Sequence, residues 1–377
     1  MQRFWTLVRR HWVIVTVAVA VLAAGGMVTA VAASGRDDVV APPPAPSTSG
    51  TPVATRTPKP TPKPLPRLPR DSRPREPLTG RLTKNPAALQ HPAVAIKISD
   101  AREAHPQISL DQADIVFVEP IGPSYTRLAA VFHSQLPTEV GPIRSVRPVD
   151  APLLGPLKCV FGNSMAAPWV MNYVDESSDV DNLGTLRVRV DSGAYTIAVG
   201  RISPNHVIAH PRSLMKVSRF TAPPTPYFGY GYTADEVSIR SSKKAATRIS
   251  IPYGQGFATS YSYDTQSKRY LRSEPWGPHV MADGTRISAT NVVIIKVASR
   301  VGKIGHGGGA PVPILALNHG QGSFSAMTGG KQVSGTWTKG TENQPFTFTT
   351  SDGKPLRLAP GSTWVELPDL GARVSVR

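Results

Sequence analysis

The pattern of apolar and polar positions divides the chain into three stretches. Residues 12–33 carry no charged side chain. At ~1.5 Å per helical residue, a run of ~22 residues covers about 33 Å, enough for a hydrocarbon core of ~30 Å. Arg3, Arg9 and Arg10 lie before it and Asp37 and Asp38 soon after, so the positive-inside bias keeps residues 1–11 in the cytoplasm and sends the rest outward. The expectation is a single N-terminal transmembrane helix anchoring a single-pass protein of the cell membrane, with its C-terminal domains extracytoplasmic. A cleaved signal peptide competes, because Ala30-Val31-Ala32 fits the small-residue cleavage pattern, although the run is longer than an ordinary signal core of about 7 to 15 residues. In that case the protein is secreted.

Residues 34–75 have no apolar periodicity. Prolines from Pro42 to Pro74 alternate with Thr, Ser and basic residues, too few apolar groups to support a core, which predicts a disordered linker. In polyproline II, at ~3.1 Å per residue, ~35 residues reach up to roughly 100 Å.

From residue 76 the pattern becomes that of a folded protein. Residues 93–98 form an apolar strand candidate, and Ser109 to Gln112 has the spacing of a capping box for a short helix. Residues 114–119 and 127–134 form two strong strand candidates. If they pair as a hairpin, Glu119 faces Arg127, Phe117 faces Ala129 and Ile115 faces Val131. Residues 159–162 read as a buried strand, and residues 165–174 as a helix whose start is limited by Pro168. This alternation predicts a mixed α/β N-terminal domain over residues 76–222. Pro223, Pro224 and Pro226 mark a boundary. Residues 223–377 are then β-rich, with strands expected at 248–253, 258–264, 269–273, 291–297, 334–338, 345–349 and 364–367, separated by Asp283-Gly284, Gly329-Gly330 and Asp352-Gly353. The fold class is α+β.

Charge alters the picture less than its size suggests. The net charge is +17, but about half of the excess precedes residue 76. A nucleic-acid partner is therefore not expected. For a chain outside the membrane, the anionic neighbours are lipid headgroups and cell-wall polymers. Cys159 is the one cysteine, so no disulfide framework exists and the fold depends on burial.

The stretches Ala113 to Glu119, Thr126 to Ser134 and Gly141-Pro142-Ile143-Arg144-Ser145-Val146-Arg147-Pro148 resemble the N-terminal domain of the YerB-like envelope lipoproteins, the DUF3048 family. Gly277-Pro278-His279-Val280, Thr290-Asn291-Val292-Val293, Gly335-Thr336-Trp337 and Pro360 to Leu367 are similar to its C-terminal domain. Asn205-His206 resembles in part the family's His-Asn-Leu-Tyr region, with the asparagine now first. The resemblance covers about residues 76–368 and implies a protein of the cell envelope with no established general activity. Many relatives look like lipoproteins acylated on an N-terminal cysteine. This chain has none there, so its apolar segment must anchor it.

The first chemical constellation is Glu119 with Arg127, Arg144 and Arg147, joined by Asn205 and His206 as candidate ligand-binding residues. Guanidinium forks match carboxylate or phosphate, which suits peptidoglycan or an anionic polymer attached to it. An envelope protein partner is the parallel expectation. The bland alternative is a Glu119–Arg127 cross-strand ion pair. As a general acid on a glycosidic bond Glu119 would need a raised pKa, which neighbouring arginines oppose. The second constellation is Gly162-Asn163-Ser164-Met165-Ala166 between a strand and a helix. It approximates a nucleophile elbow, with Asp175, Asp179, Asp181 or Asp191 and then His206 or His210 in triad order. A serine capping the next helix is the simpler reading. Glycan lyase or hydrolase activity through Glu119, or serine hydrolase activity through Ser164, is thus the alternative to a binding function. His206 and His210, hemmed in by Pro204 and Pro211, make a poor metal pair, and neither a metal nor a cofactor is expected. Gly305 to Gly309 lacks the ending of a phosphate loop. Tyr227, Phe228, Tyr230, Tyr232 and Trp276 could stack on sugars or fill a core.

Overall fold

The computed structural model describes residues 72–122, 125–302 and 311–377. The expected membrane helix and most of the proline-rich linker lie outside these residues, as does the Gly305 to Gly309 run. No helix among the described residues is long and apolar enough to cross a membrane.

Sheet dominates. In chain order the strands are β1 (Val94–Ser99), β2 (Ile115–Pro120), β3 (Thr126–Phe132), β4 (Cys159–Gly162), β5 (Val180–Asn182), β6 (Tyr195–Ile197), β7 (Val207–Ala209), β8 (Arg248–Gly254), β9 (Phe257–Asp264), β10 (Arg269–Glu274), β11 (Gly277–Pro278), β12 (Ser288–Ala289), β13 (Asn291–Ile295), β14 (Ser299–Val301), β15 (Pro313–Leu315), β16 (Gln321–Thr328), β17 (Lys331–Thr338), β18 (Thr347–Thr350), β19 (Thr363–Glu366) and β20 (Ser375–Val376). The described α-helices are short: α1 (Asp150–Leu154), α2 (Pro168–Asp175) and α3 (Pro211–Val217). The α component expected of the first half is therefore small. Helix α2 starts at Pro168, where a missing N–H costs nothing. The Ser109 capping box does not form. Ser109 sits in the left-handed region at φ 58°, makes no side-chain cap, and leads into one 3-10 turn over Leu110–Gln112.

Ten strands make one sheet in the order β18-β17-β16-β13-β19-β2-β3-β1-β4-β5. The β2–β3 hairpin has the expected register, with Glu119 opposite Arg127, Phe117 opposite Ala129 and Ile115 opposite Val131. The join between the first and second halves of the sequence is β19, which runs parallel to β2 on one side and to β13 on the other. The described residues from 72 onward accordingly belong to one compact unit.

Both faces of this sheet are covered, so its central strands are buried along their whole length. One face carries Ala95, Phe117 and Ala129 against α1, α2 and the aromatic group of Tyr227, Phe228 and Phe348. The other carries Ile96, Val116 and Ala130 against Ile249, Ile251 and Tyr261 of a second sheet, ordered β11-β10-β9-β8-β20. Tyr227, Phe228 and Tyr230 are buried, and Tyr227 packs on Phe117 with ring centroids 5.3 Å apart. That part of the aromatic set is core and cannot stack on a ligand.

Candidate anion-binding site

The site starts from an irregularity in β1. Its sequence Val-Ala-Ile-Lys-Ile-Ser is apolar except for Lys97 and the terminal Ser99, and Lys97 is fully buried on the face shared with Ala95. An isolated ammonium there would cost several kcal/mol, so it must be matched by carboxylates. Two are present. Lys97 Nζ lies against Glu119 Oε1 of β2 and donates to Asp150 Oδ1 of α1 at 2.7 Å. Burial pushes the Lys97 ammonium down to about 8, with Asp150 acting in the opposite sense.

Asp150 also positions the arginines. Its Oδ2 accepts from the Arg147 backbone N–H at 2.6 Å, and its own N–H donates to the Arg147 carbonyl at 3.0 Å. This closes a turn on the N-terminal end of α1, where a carboxylate is favoured. Upstream, residues 142–144 continue the sheet where β4 stops. β4 pairs with Val94, Ala95 and Ile96, and beyond that point Ser99 N–H donates to the Pro142 carbonyl and Arg144 N–H to the Lys97 carbonyl, both at 3.0 Å. Gly141 allows the same segment to pass close to β7 on its other side, since a Cβ there would meet Ile208 Cδ1 at 2.7 Å and the Val207 carbonyl at 3.2 Å.

Three guanidiniums converge on this frame. Arg127 donates to the Thr126 carbonyl at 2.9 Å, and Arg147 donates to Ser145 Oγ at 2.9 Å and to the Val146 carbonyl at 2.8 Å. None of Arg127, Arg144 and Arg147 is ion-paired to a described carboxylate. Burial pushes Arg127 down to about 9, followed by repulsion from Arg147 and Arg144, while Asp100 and Glu103 act oppositely. Burial likewise lowers Arg144 and Arg147. Four cations thus face two buried carboxylates, an excess of two positive charges, because Asp100 is already engaged by Arg272 and Glu103 is exposed. Ser99 Oγ, Glu119 Oε2, Arg127 Nε and Arg147 Nε are buried without hydrogen-bond partners. Unsatisfied buried polar atoms are uncommon in folded proteins and mark a place that a ligand or water completes.

The expected Glu119–Arg127 ion pair is not what forms. The two residues are opposite in register, but the Glu119 carboxylate turns to Lys97, a cation enclosed between strands, and Arg127 is left free for another anion. Lys97 and Asp150 are the members that the sequence reading missed. Their signals were a lysine inside an apolar strand and an aspartate after Arg147-Pro148-Val149.

Asn205 and His206 lie on the loop that leads into β7. Asn205 Oδ1 and His206 Nδ1 are buried without partners, and Asn205 shares a groove of about 750 Å3 with Arg144, Glu103 and His105. Ser164 lies against the segment that carries the arginines, but its hydroxyl is committed, donating to the Ile143 carbonyl at 3.0 Å. Asp175 binds Asn182 and Arg187, Asp181 binds Ser218 and Arg219, and Asp191 binds Arg189. Asp179 lies 3.9 Å from Lys158. His210 contacts Thr196 and the Thr138 carbonyl. A strand, β7, separates His206 from His210, so they do not share a helix face.

A second polar cluster occupies the opposite face. Arg272, fully buried, donates to Asp100 Oδ2 at 3.0 Å, contacts Glu274, and approaches Glu366 at 3.9 Å. Glu366 accepts from Tyr253 at 2.6 Å and from Tyr261. Asp100, His105 and His279 bring potential metal-ligand atoms within 4.8 Å of one another. Both His279 nitrogens are already engaged, however, Nδ1 with Arg272 at 2.8 Å and Nε2 with Gln107 at 2.7 Å. A cation would compete with that guanidinium, so the group serves as a clamp.

Comparison with known proteins agrees with this architecture. Residues 78–221 match the N-terminal domain and residues 249–365 the C-terminal domain of DUF3048, each described as a protein of unknown function. YerB of Bacillus subtilis (strain 168), named as a candidate lipoprotein, is 26% identical over 328 residues, covering 78% of this chain and 87% of YerB. The crystal structure of YerB from Bacillus subtilis has the same fold, with a TM-score of 0.68 at 22% identity over 80% of this chain and 100% of that one. Sequence matches over both halves, together with the shared fold, place this chain in the DUF3048 family.

Proposed function

We propose that the folded region is an extracytoplasmic binding module that holds an anionic group of a cell-envelope glycan on Arg127, Arg144 and Arg147. The supporting observation is that four cations, Lys97 and Arg127 buried and Arg144 and Arg147 part-exposed, surround the two buried carboxylates Glu119 and Asp150, with three guanidiniums making no described ion pair. Phosphate or carboxylate matches those forks. The apolar run 12–33 and the likeness to a candidate lipoprotein support a location at the outer side of a membrane. A catalytic reading gains nothing from the geometry. Glu119 is enclosed with Lys97, and Ser164 is committed to a carbonyl.

The test is co-sedimentation of the full chain with purified peptidoglycan, before and after its anionic polymers are removed. Binding is expected to fall at least tenfold on polymer removal and in Arg144→Ala, a half-exposed position whose loss leaves the core intact. Binding that is absent, or indifferent to both changes, overturns the proposal.

A further inference from the structure

The groove beside Arg144 has two chemically different kinds of lining. Arg144, close enough to repel Arg127 and Arg147, and Asn205, 7% exposed with an unpartnered amide oxygen, supply the polar part. Val199 and Ile202 supply the apolar part while being 102% and 85% exposed, and Ile197 on the same segment is 63% exposed. The two walls are tied together. Arg201 donates to the Ala104 carbonyl at 3.0 Å and also to the Pro106 carbonyl. Glu103, on the rim, is solvent-exposed and screened by water.

A free sugar polymer would satisfy the arginines and Asn205 but would leave Val199 and Ile202 in water. Resting on the anion-binding reading above, we infer that the groove takes an amphiphile: an anionic head on Arg144 with an adjoining hydrogen-bond donor at Asn205, and an apolar chain along Val199 and Ile202. The occupant is therefore the lipid-linked form of an anionic envelope glycan, held more tightly than the finished wall polymer because its apolar chain is bound as well as its anionic head. Charge complementarity favours this occupant, and so does the chain before residue 72, where an apolar stretch and roughly 35 proline-rich residues allow the groove to return to a bilayer surface. Apolar contact adds affinity in proportion to the area removed from water.

The experiment uses the full chain in phosphatidylcholine nanodiscs, titrated with inorganic phosphate, dodecyl phosphate below its micelle concentration, and dodecanol, followed by calorimetry. Dodecyl phosphate is expected to bind at least tenfold more tightly than phosphate. Val199→Ser/Ile202→Ser, at exposed positions that do not threaten the fold, should remove that advantage and leave phosphate binding unchanged. Equal affinity for phosphate and dodecyl phosphate overturns the amphiphile and leaves the anion site standing. Equal binding of dodecanol and dodecyl phosphate, unaffected by Arg144→Ala, overturns both. A concentration-dependent dimer that dissociates in the double serine variant assigns the apolar part to a second copy and also overturns the inference.

Discussion

Two buried polar clusters back onto opposite faces of one sheet, and they solve the burial of charge differently. On the Lys97 face, four cations meet two carboxylates, and several polar atoms stay unpartnered. On the Arg272 face, one guanidinium meets Asp100, which it helps hold below the usual carboxylate range against the opposing effect of burial, and Glu274 and Glu366, whose charge is moderated by burial. Glu274 is pushed up to about 8, principally by desolvation against the pull of Arg272, and Glu366 is raised by the same cause. Tyr253 and Tyr261 supply donors to Glu366. The second cluster leaves Arg272 Nε and Glu274 Oε2 unpartnered too, but its single cation is matched by carboxylates, whereas the first carries more cations than carboxylates. Thr126 links them, its hydroxyl donating to Asp100 at 2.6 Å and its carbonyl accepting from Arg127. One cluster thus fixes a guanidinium of the other.

This contrast can be broken by removing the central cation of each cluster. Arg272→Met leaves three carboxylates around an apolar chain and should destabilise the protein by ~3–5 kcal/mol, as expected when one partner of a buried pair is lost; urea unfolding measures it. Lys97→Met should cost less, ~2–4 kcal/mol, because Arg127 and Arg147 remain near Glu119 and Asp150. A larger loss for Lys97→Met than for Arg272→Met would reverse the assignment of matched and cation-rich clusters.

Proton linkage gives a smaller effect. The folded-state Glu274 value of about 8 lies above its ordinary 4.5, so between these pH values the folded protein binds more protons than the unfolded chain. Its contribution to stability therefore falls as pH rises through that window. The melting temperature should drop by a few degrees between about pH 5 and 8, and Glu274→Gln should flatten that slope. On the cation-rich face, Lys97 loses its proton above about 8, which reduces the positive excess, so phosphate affinity should weaken as pH rises past that point. The smallest stability effect belongs to Arg144→Ala, within about 0.5 kcal/mol, because this guanidinium is half-exposed and makes no described ion pair.

The hairpin could be read from sequence because its determinants are local. Two apolar runs, residues 114–119 and 127–134, joined by a short connection gave the pairing of Glu119 with Arg127, whereas the helix expected over residues 165–174 begins only at Pro168. β16 was not anticipated, since Gln-Gly-Ser-Phe-Ser-Ala-Met-Thr has its glycine and serines on the half-exposed part of the strand. The direction of the Glu119 carboxylate was equally hidden, because Lys97 lies on β1, which β3 separates from β2 in the sheet.

The sequence by itself determined the division into an apolar N-terminal run, a proline-rich stretch and a folded region, the β2–β3 register, and the gathering of Glu119, Arg127, Arg144 and Arg147 as the candidate site. These follow from composition and from contacts between near neighbours. Tertiary structure alone decided that β19 joins the two halves, that Lys97 and Asp150 take the site's carboxylate pairing, and that Asp100, Arg272 and Glu366 close a clamp behind it. Those residues are separated by 53 to 172 positions in their hydrogen bonds. Only burial within a shared low-dielectric interior makes such distant charges depend on one another.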